Sequence, residues 1–351
     1  MARDITRRTT LRQVAEDAGV SIATASYVLA GRSRVDPRAK VSEDTEQRVR
    51  ESARRLHYRV NVSAHATRTG RTGQVLLAMT VSYDPWVQTV VTAVSKELEE
   101  HDVQALVIPD GNWYRALQRM NPDAVFIDGL TKPEDQAHVE ELVASGLRII
   151  VLGDNLSGDG YDIIDSRATE GCRLSMHHLI GLGHRRIACL TVEPQNETRT
   201  TRAAIYLAEM KASGIAVPEG FLRSTGPTPI GGYQTAIDLL TMPEPPTAIF
   251  CASDYLALSV VKAAERLGVS IPGQLSVIGA GNIPDGTVST PALTTVGAED
   301  EPGEIARLVR RRALGDKSPP SRTVLDWSLI QRDSTSNPKT SGDYRSKGNT
   351  S

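Results

Sequence analysis

Residues 9–31 read TTLRQVAEDAGVSIATASYVLAG, two short amphipathic stretches joined by Gly-Val-Ser. Thr10 opens a capping box: its hydroxyl can accept from the backbone N–H of Gln13, whose side chain can reach back to the N–H of Thr10. The spacing predicts a helix over Leu11–Ala18 with Leu11, Val14, Ala15 and Ala18 on one face. Gly19 supplies a positive-φ exit, and Ser21 caps a second helix over 22–30 whose inner side is Ala25, Val28 and Leu29. Each stretch is shorter than the ~12–15 residues an isolated helix needs in water, so both require a third partner. Val41-Ser42-Glu43-Asp44 starts one, with acids at the positive end of its dipole and Val49, Ala53 and Leu56 as its stripe.

Three small helices with a tight turn between the first two describe a helix-turn-helix reader of DNA. A generic three-helix bundle would share the caps and stripes. The outer face distinguishes them: Ser21, Thr24 and Ser26 are short donors suited to phosphate oxygens, and Arg32, Arg34, Arg38 and Lys40 follow at once. Charge points the same way. The 351 residues carry a formal −2, yet residues 1–72 hold 15 basic and 8 acidic groups, a net +7, leaving −9 on the rest. A basic head on an acidic body suggests a polyanion at the head.

With 40% apolar and 23% charged residues, the chain can bury a sizeable core. No apolar run approaches the ~18–20 residues of a membrane span. The opening MARDITRRTT has no apolar segment behind it, which argues against a signal peptide. Cys172, Cys189 and Cys251 lack metal or redox spacing and read as buried apolar residues of a reduced, cytoplasmic protein. From residue 73 onward, apolar runs (74–81, 103–109, 124–128, 148–153, 186–192, 247–253, 275–280) alternate with helical patterns near 86–101, 169–182, 200–213, 231–241 and 255–267. This predicts α/β architecture with parallel, doubly wound sheets, numerous enough for two lobes. A dinucleotide-binding enzyme would want G-x-G-x-x-G after the first strand, where SYDPWVQT stands instead. No Walker loop and no G-x-S-x-G elbow occur. His177-His178 face different sides of a helix, so no catalytic residue, metal or cofactor is expected.

The head resembles that of the lactose/galactose repressor (LacI/GalR) family, whose pattern T-[LI]-x-D-V-A-x-x-A-G-V-S-x-x-T-V-S-x-V-L-N-G is similar to 10–31. The likeness extends through HHLIGLGHRRIACLT at 177–191, PPTAIFCASDYLALSVVKAAERLGVSIPGQLSVIG at 245–279, PALTTV and LIQRDST. It implies a helix-turn-helix domain at 1–57, a hinge segment at 58–72 and a periplasmic-binding-protein-like bilobed body at 73–332; the polar tail at 333–351, with few groups able to pack, is expected to be disordered. The likeness implies a homodimer on a near-palindromic double-stranded operator, a small-molecule effector between the lobes, no membrane, and a nucleoid-associated location. By position, Ile22, Ala23 and Tyr27 stand where the family reads base edges, Tyr27 where it most often has arginine. Asn61 and Ala64 match the family hinge, which enters the minor groove, whereas Val60, His65 and Thr67 replace its proline, arginine and wedge leucine. A flexible basic linker is the other reading of 68–72.

For the body, the resemblance sets Tyr83, Trp86, Asp154, Arg202, Ser253, Asp254 and Asn282 around the effector. Trp86 falls where an aromatic stacks on the ligand and Arg202 where an arginine holds it. Trp86 can equally be core packing, and Asp254 a helix cap over 255–267. The family's G-[FY]-D-D string is Gly279-Ala280-Gly281-Asn282 here, so the carboxylate that receives sugar hydroxyls is replaced by Gly281. A non-standard effector is expected. The rival reading is a regulator whose cleft is vestigial and whose body serves dimerisation.

Overall fold

The computed structural model of the chain describes residues 9–29, 41–58, 70–109, 112–154, 156–192, 202–226 and 228–338. It divides into two compact units, Met1–Thr72 and Gly73–Ser351.

In the first unit, α1 (Leu11–Ala18), α2 (Ile22–Leu29) and α3 (Glu43–Arg55) form as their caps dictate. The capping box is present: Gln13 N donates to Thr10 Oγ1 at 3.4 Å and Thr10 N to Gln13 Oε1 at 2.9 Å. Gly19 turns the chain at φ 65°, a left-handed value that favours glycine, and Val20 N–H closes the turn on Ala15 O at 2.9 Å. Ser21 Oγ accepts from Thr24 N at 3.0 Å, and Ser42 Oγ from Thr45 N at 3.3 Å. The three stripes meet in one core of Val14, Ala15, Ala18, Ala25, Val28, Val49 and Ala53, rimmed by Leu11, Val20, Leu29, Val41, Leu56 and Tyr58. Each fully buried valine there contributes roughly 1.5–3 kcal/mol against exposure, which is what makes helices this short persist. Arg32, Arg34, Arg38, Lys40, Asn61, Ala64, His65 and Thr67 lie outside the described residues.

The second unit is built on two parallel sheets. The first contains β1 (Gln74–Met79), β2 (Gln104–Pro109), β3 (Ala124–Ile127), β4 (Ile149–Leu152) and β5 (Asp162–Asp165), with a late strand, β11 (Arg322–Val324), added beside β5. Its order is β11-β5-β4-β3-β1-β2. Successive residues of β1 alternate between two cores. Val75, Leu77 and Met79 join the core that includes residues of α4 (Pro85–Leu98), while Leu76 and Ala78 join that of α5 (Trp113–Leu117) and α6 (Asp135–Ala144). Both faces are covered, which is why QVLLAM is apolar throughout rather than alternating.

After α7 (Ala168–Gly181), the second sheet takes β6 (Ile187–Thr191), β7 (Leu222–Ser224), β8 (Ala248–Cys251) and β9 (Ser276–Ile278) in the order β7-β6-β8-β9. One face packs on α7 and α8 (Arg202–Ala212), the other on α9 (Pro229–Leu240) and α10 (Asp254–Leu267). All three cysteines are fully buried thiols outside any disulfide. The chain then runs through α11 (Asp285–Val288) and β10 (Thr295–Gly297), returns to the first lobe as α12 (Glu301–Ala313) and β11, and ends in β12 (Ser328–Ile330), antiparallel to β10.

The ordered body continues past the boundary expected at 332. Ser334 and Thr335 are buried. Thr294 N donates to Ser334 Oγ at 2.8 Å, Ser334 Oγ to Val277 O at 2.6 Å, and His184 Nε2 meets Ser336 O at 2.9 Å. The polar residues of DSTS read as solvated, but they complete backbone bonds at the edge of the second sheet. Residues 339–351 lie outside the described residues.

Candidate functional site

On the head, α2 turns Ala25 and Val28 inward, which leaves Ile22 and Tyr27 on its outer side at 44% and 39% exposure, with Ala23 exposed beside them. This face offers methyl groups and one phenol, with no guanidinium fork for guanine. Ser21 and Thr24 share a 2.9 Å bond between hydroxyls, Thr10 Oγ1 sits 3.1 Å from Gln13 Oε1, and Ser26 is half-buried. Asp17 accepts from Ser52 Oγ and from Arg55 Nη2, tying α1 to α3; these bonds, Ser52's first, hold its carboxyl below the ordinary value.

In the body, the sheet orders reverse direction beside β1 and beside β6, so crevices open at the carboxyl ends of β1 and β3 in one lobe and of β6 and β8 in the other. The segments leaving those ends carry Thr80–Asp84, Asp128, Arg202 and Ser253-Asp254. Tyr83 is 62% exposed. Asp84 caps α4 through Trp86 N at 2.9 Å, and Trp86 is half-buried against the first lobe's core. Burial pushes the Asp84 carboxyl up, opposed by the Trp86 N–H and the charge of Arg202.

Several expected ligand groups are already engaged. Asp154 Oδ1 accepts from Ser166 Oγ at 2.5 Å and Ala168 N at 3.0 Å, and Oδ2 from Thr169 N at 2.5 Å, so it caps α7 across the crossover. Burial raises its pKa, but those bonds outweigh burial and hold it below the ordinary value. Asn282 Oδ1 accepts from Arg332 Nη2 at 2.8 Å. Asp254 is 1% exposed; it accepts from Ile283 N at 2.9 Å and Thr295 Oγ1 at 2.5 Å. It is the first residue of α10 rather than the cap preceding it, the N-cap being Ser253, whose side chain makes no capping bond. Burial lifts the Asp254 carboxyl to about 6. Gly281 lies beside it: a Cβ there would stand 4.0 Å from Asp254 Oδ2.

Asp128, Trp327 and Glu301 on this crevice escaped the sequence reading, whereas Arg202 was expected there. Asp128, at the end of β3, accepts Thr80 N with both oxygens at 2.8 and 2.9 Å, and burial lifts it to about 7, with Asp84 adding to the rise. The signal for it was an acid directly after the apolar run AVFI. Arg202 Nη1 donates to Ala252 O, and its guanidinium stands 5.8 Å over the ring of Trp327. Trp327 lies against Gly171 of α7, where a Cβ would come within 2.3 Å of the indole. Glu301, the first residue of α12, is 5% exposed and lifted to about 7 by burial, against the charge of Arg202 and the Trp327 N–H, with Asp154 and Asp84 pushing up. Among the described residues, Glu301 Oε2, Trp327 Nε1 and Ser253 Oγ are buried and close no hydrogen bond, although the Trp327 N–H faces the Glu301 carboxyl. No group of three or more His, Cys, Asp or Glu among the described residues is placed to hold a metal ion, and no described helix is long and apolar enough to cross a membrane.

Comparison with known proteins fits this division of labour. Residues 10–61 match the model of bacterial regulatory proteins of the lacI family, and 176–335 that of the periplasmic binding protein-like domain. The chain is 27% identical over 335 residues to the HTH-type transcriptional repressor PurR of Escherichia coli O139:H28, covering 92% of this chain and 96% of that one. Among solved structures, a transcriptional regulator CelR–cellobiose complex is 25% identical with a TM-score of 0.61, covering 93% of this chain and all of that one. The lac repressor dimer bound to operator and the anti-inducer ONPF is 22% identical with a TM-score of 0.68, covering 94% and 100%, a likeness of fold. A capped helix-turn-helix head matched by one model, and a bilobed α/β body matched by the other, make the chain a lacI-family helix-turn-helix domain joined to a periplasmic-binding-protein-like domain, the make-up of the DNA-binding transcriptional regulators it resembles.

Proposed function

We propose that the protein is a homodimeric, sequence-specific repressor acting in the cytoplasm, that it binds a near-palindromic operator through α2, and that a small molecule between the lobes of its body tunes the affinity. The observation carrying this reading is the outward face of α2, where Ile22, Ala23 and Tyr27 project beside the phosphate-compatible donors Ser21, Thr24 and Ser26. Base readout then rests on methyl contacts and one hydroxyl, so thymine methyls and groove shape weigh more than guanine. Residues 58–72 act as the hinge, with Asn61, Ala64, His65 and Thr67 meeting the minor groove, and Arg32 and Arg34 adding phosphate contacts. Thr67 presents less apolar surface than leucine, so the kink is shallow.

In the body, Tyr83, Trp86, Arg202 and Ser253 line the effector site, while Asp154, Asp254 and Asn282 hold its walls. An effector that prefers one lobe arrangement shifts the population of operator-competent dimers. Selection of bound DNA from random oligonucleotides tests the central claim. It should return a near-palindrome, and Tyr27→Ala should relax preference at one position per half-site, by about 1–3 kcal/mol of discrimination. Recovery of no palindrome would count decisively against it. The engagement of Asp154, Asp254 and Asn282 within the protein favours a second reading, in which the cleft binds nothing and the body only dimerises. A thermal-shift screen separates the two, because a ligand at 100 times its Kd stabilises by about 2.7 kcal/mol.

A further inference from the structure

The acids around the cleft outnumber the bases. Asp84, Asp128, Asp154, Asp254 and Glu301 are linked electrostatically, and the guanidiniums acting on them are Arg202 and Arg332. Four of the five carboxyls accept hydrogen bonds from neighbouring N–H or O–H groups. Glu301 is the exception: it is 5% exposed, its Oε2 closes no hydrogen bond among the described residues, and the Trp327 N–H, which faces its carboxyl, closes none either. Buried polar atoms left open are costly, and a carboxylate is the costliest of them. Arg202, which acts on Glu301, donates to Ala252 O and stands over the Trp327 ring. Position 281, where a carboxylate could receive neutral hydroxyls, is glycine.

We propose that the effector is a small organic cation carrying an amine, and that Glu301 receives its charged nitrogen. The proposal rests on the effector reading above. A protonated amine supplies the positive charge this acid-rich cleft lacks and satisfies the open oxygen with a charge-assisted hydrogen bond. No covalent step is involved.

The test uses the full chain and matched pairs of probes: glucosamine with glucose, 1,4-diaminobutane with 1,4-butanediol, and tyramine with 4-(2-hydroxyethyl)phenol. Melting temperature screens the six, and calorimetric titration measures each one that binds. At least one amine should bind with its hydroxyl twin at least tenfold weaker, and Glu301→Gln should weaken that amine tenfold to a hundredfold. Gln keeps the shape of the side chain and removes a buried charge, so the variant should melt no lower than the parent. Near pH 6.5, amine binding to the parent should release protons, seen as a heat that varies with the buffer's ionisation enthalpy, and the variant should release fewer. If glucose, another neutral probe or a neutral metabolite binds instead, and binds Glu301→Gln equally well, the amine proposal is overturned while the effector reading stands. If neither these probes nor a pool of neutral sugars and nucleosides binds, both fall together.

Discussion

Asp254 shows how a buried carboxyl at a crevice can be engaged by the fold itself. Its two oxygens are taken by Ile283 N and Thr295 Oγ1, so α10 is pinned to the segment leading into the crossover. Gly279 makes room for this, since a Cβ there would stand 2.1 Å from Asp254 Oδ1. Gly279→Ala must therefore displace the carboxyl or the backbone. The body should lose about 1–3 kcal/mol, seen as a lower urea midpoint; an unchanged midpoint would mean that Asp254 moves at no cost. The lifted acids also set a pH dependence. Asp128 and Glu301 titrate near 7 and Asp254 near 6 in the folded chain, against roughly 4 when unfolded. Below about pH 4 both states keep these protons. Between about 4 and 7 the unfolded chain releases them first, so stability falls as pH rises through that window and levels off above it. The lowered carboxyls of Asp154 and Asp162 act below this window. The body's urea midpoint should decline from pH 5 to 7.5 by an amount worth a few kcal/mol, and Asp128→Asn should flatten the slope.

At the scale of elements, the head depends on caps more than on length. Ser21→Ala removes the acceptor for Thr24 N and should cost about 1 kcal/mol, a large fraction of the stability of so small a core. Circular dichroism at 222 nm on the isolated 1–72 segment, with operator affinity of the full chain alongside, measures both effects. The first two helices were legible to the residue at most ends because caps, a left-handed glycine and a 3.6-residue stripe all agreed there. The long apolar strands β1, β3, β4, β6 and β8 were legible because burial on both faces leaves a continuous run. The strands β7, β9, β10, β11 and β12 are three residues each. Of these, only β9 lay inside a run marked in advance, because the others owe their conformation to a partner strand rather than to their own pattern. Glu301 was hidden for a similar reason. In AEDEPGEI it reads as one acid among several at a solvated helix start, and its burial depends on packing that brings Trp327 and Arg202 to it from distant parts of the chain.

At the scale of the whole molecule, the charge division assigns DNA to the head. A net +7 over residues 1–72 and −9 over the remainder means that the body repels the duplex while the head is drawn to it. One head with an eight-residue reading helix and no guanine fork carries little base discrimination, so specificity requires two heads on one duplex. For a two-fold pair, both half-sites must lie on the same face of the helix, and the duplex repeats its face about every 10–10.5 base pairs. Inserting 5 base pairs at the centre of the selected operator turns one half-site through half a turn. Affinity should then drop by orders of magnitude, toward the sequence-independent level set by phosphate contacts, and its salt dependence should become shallower as one head disengages. Fluorescence anisotropy at 50–200 mM salt, with the parent and the lengthened site side by side, reads both quantities. Equal affinity for the two sites would mean that each head binds alone, and a dimer would then have no part in operator choice.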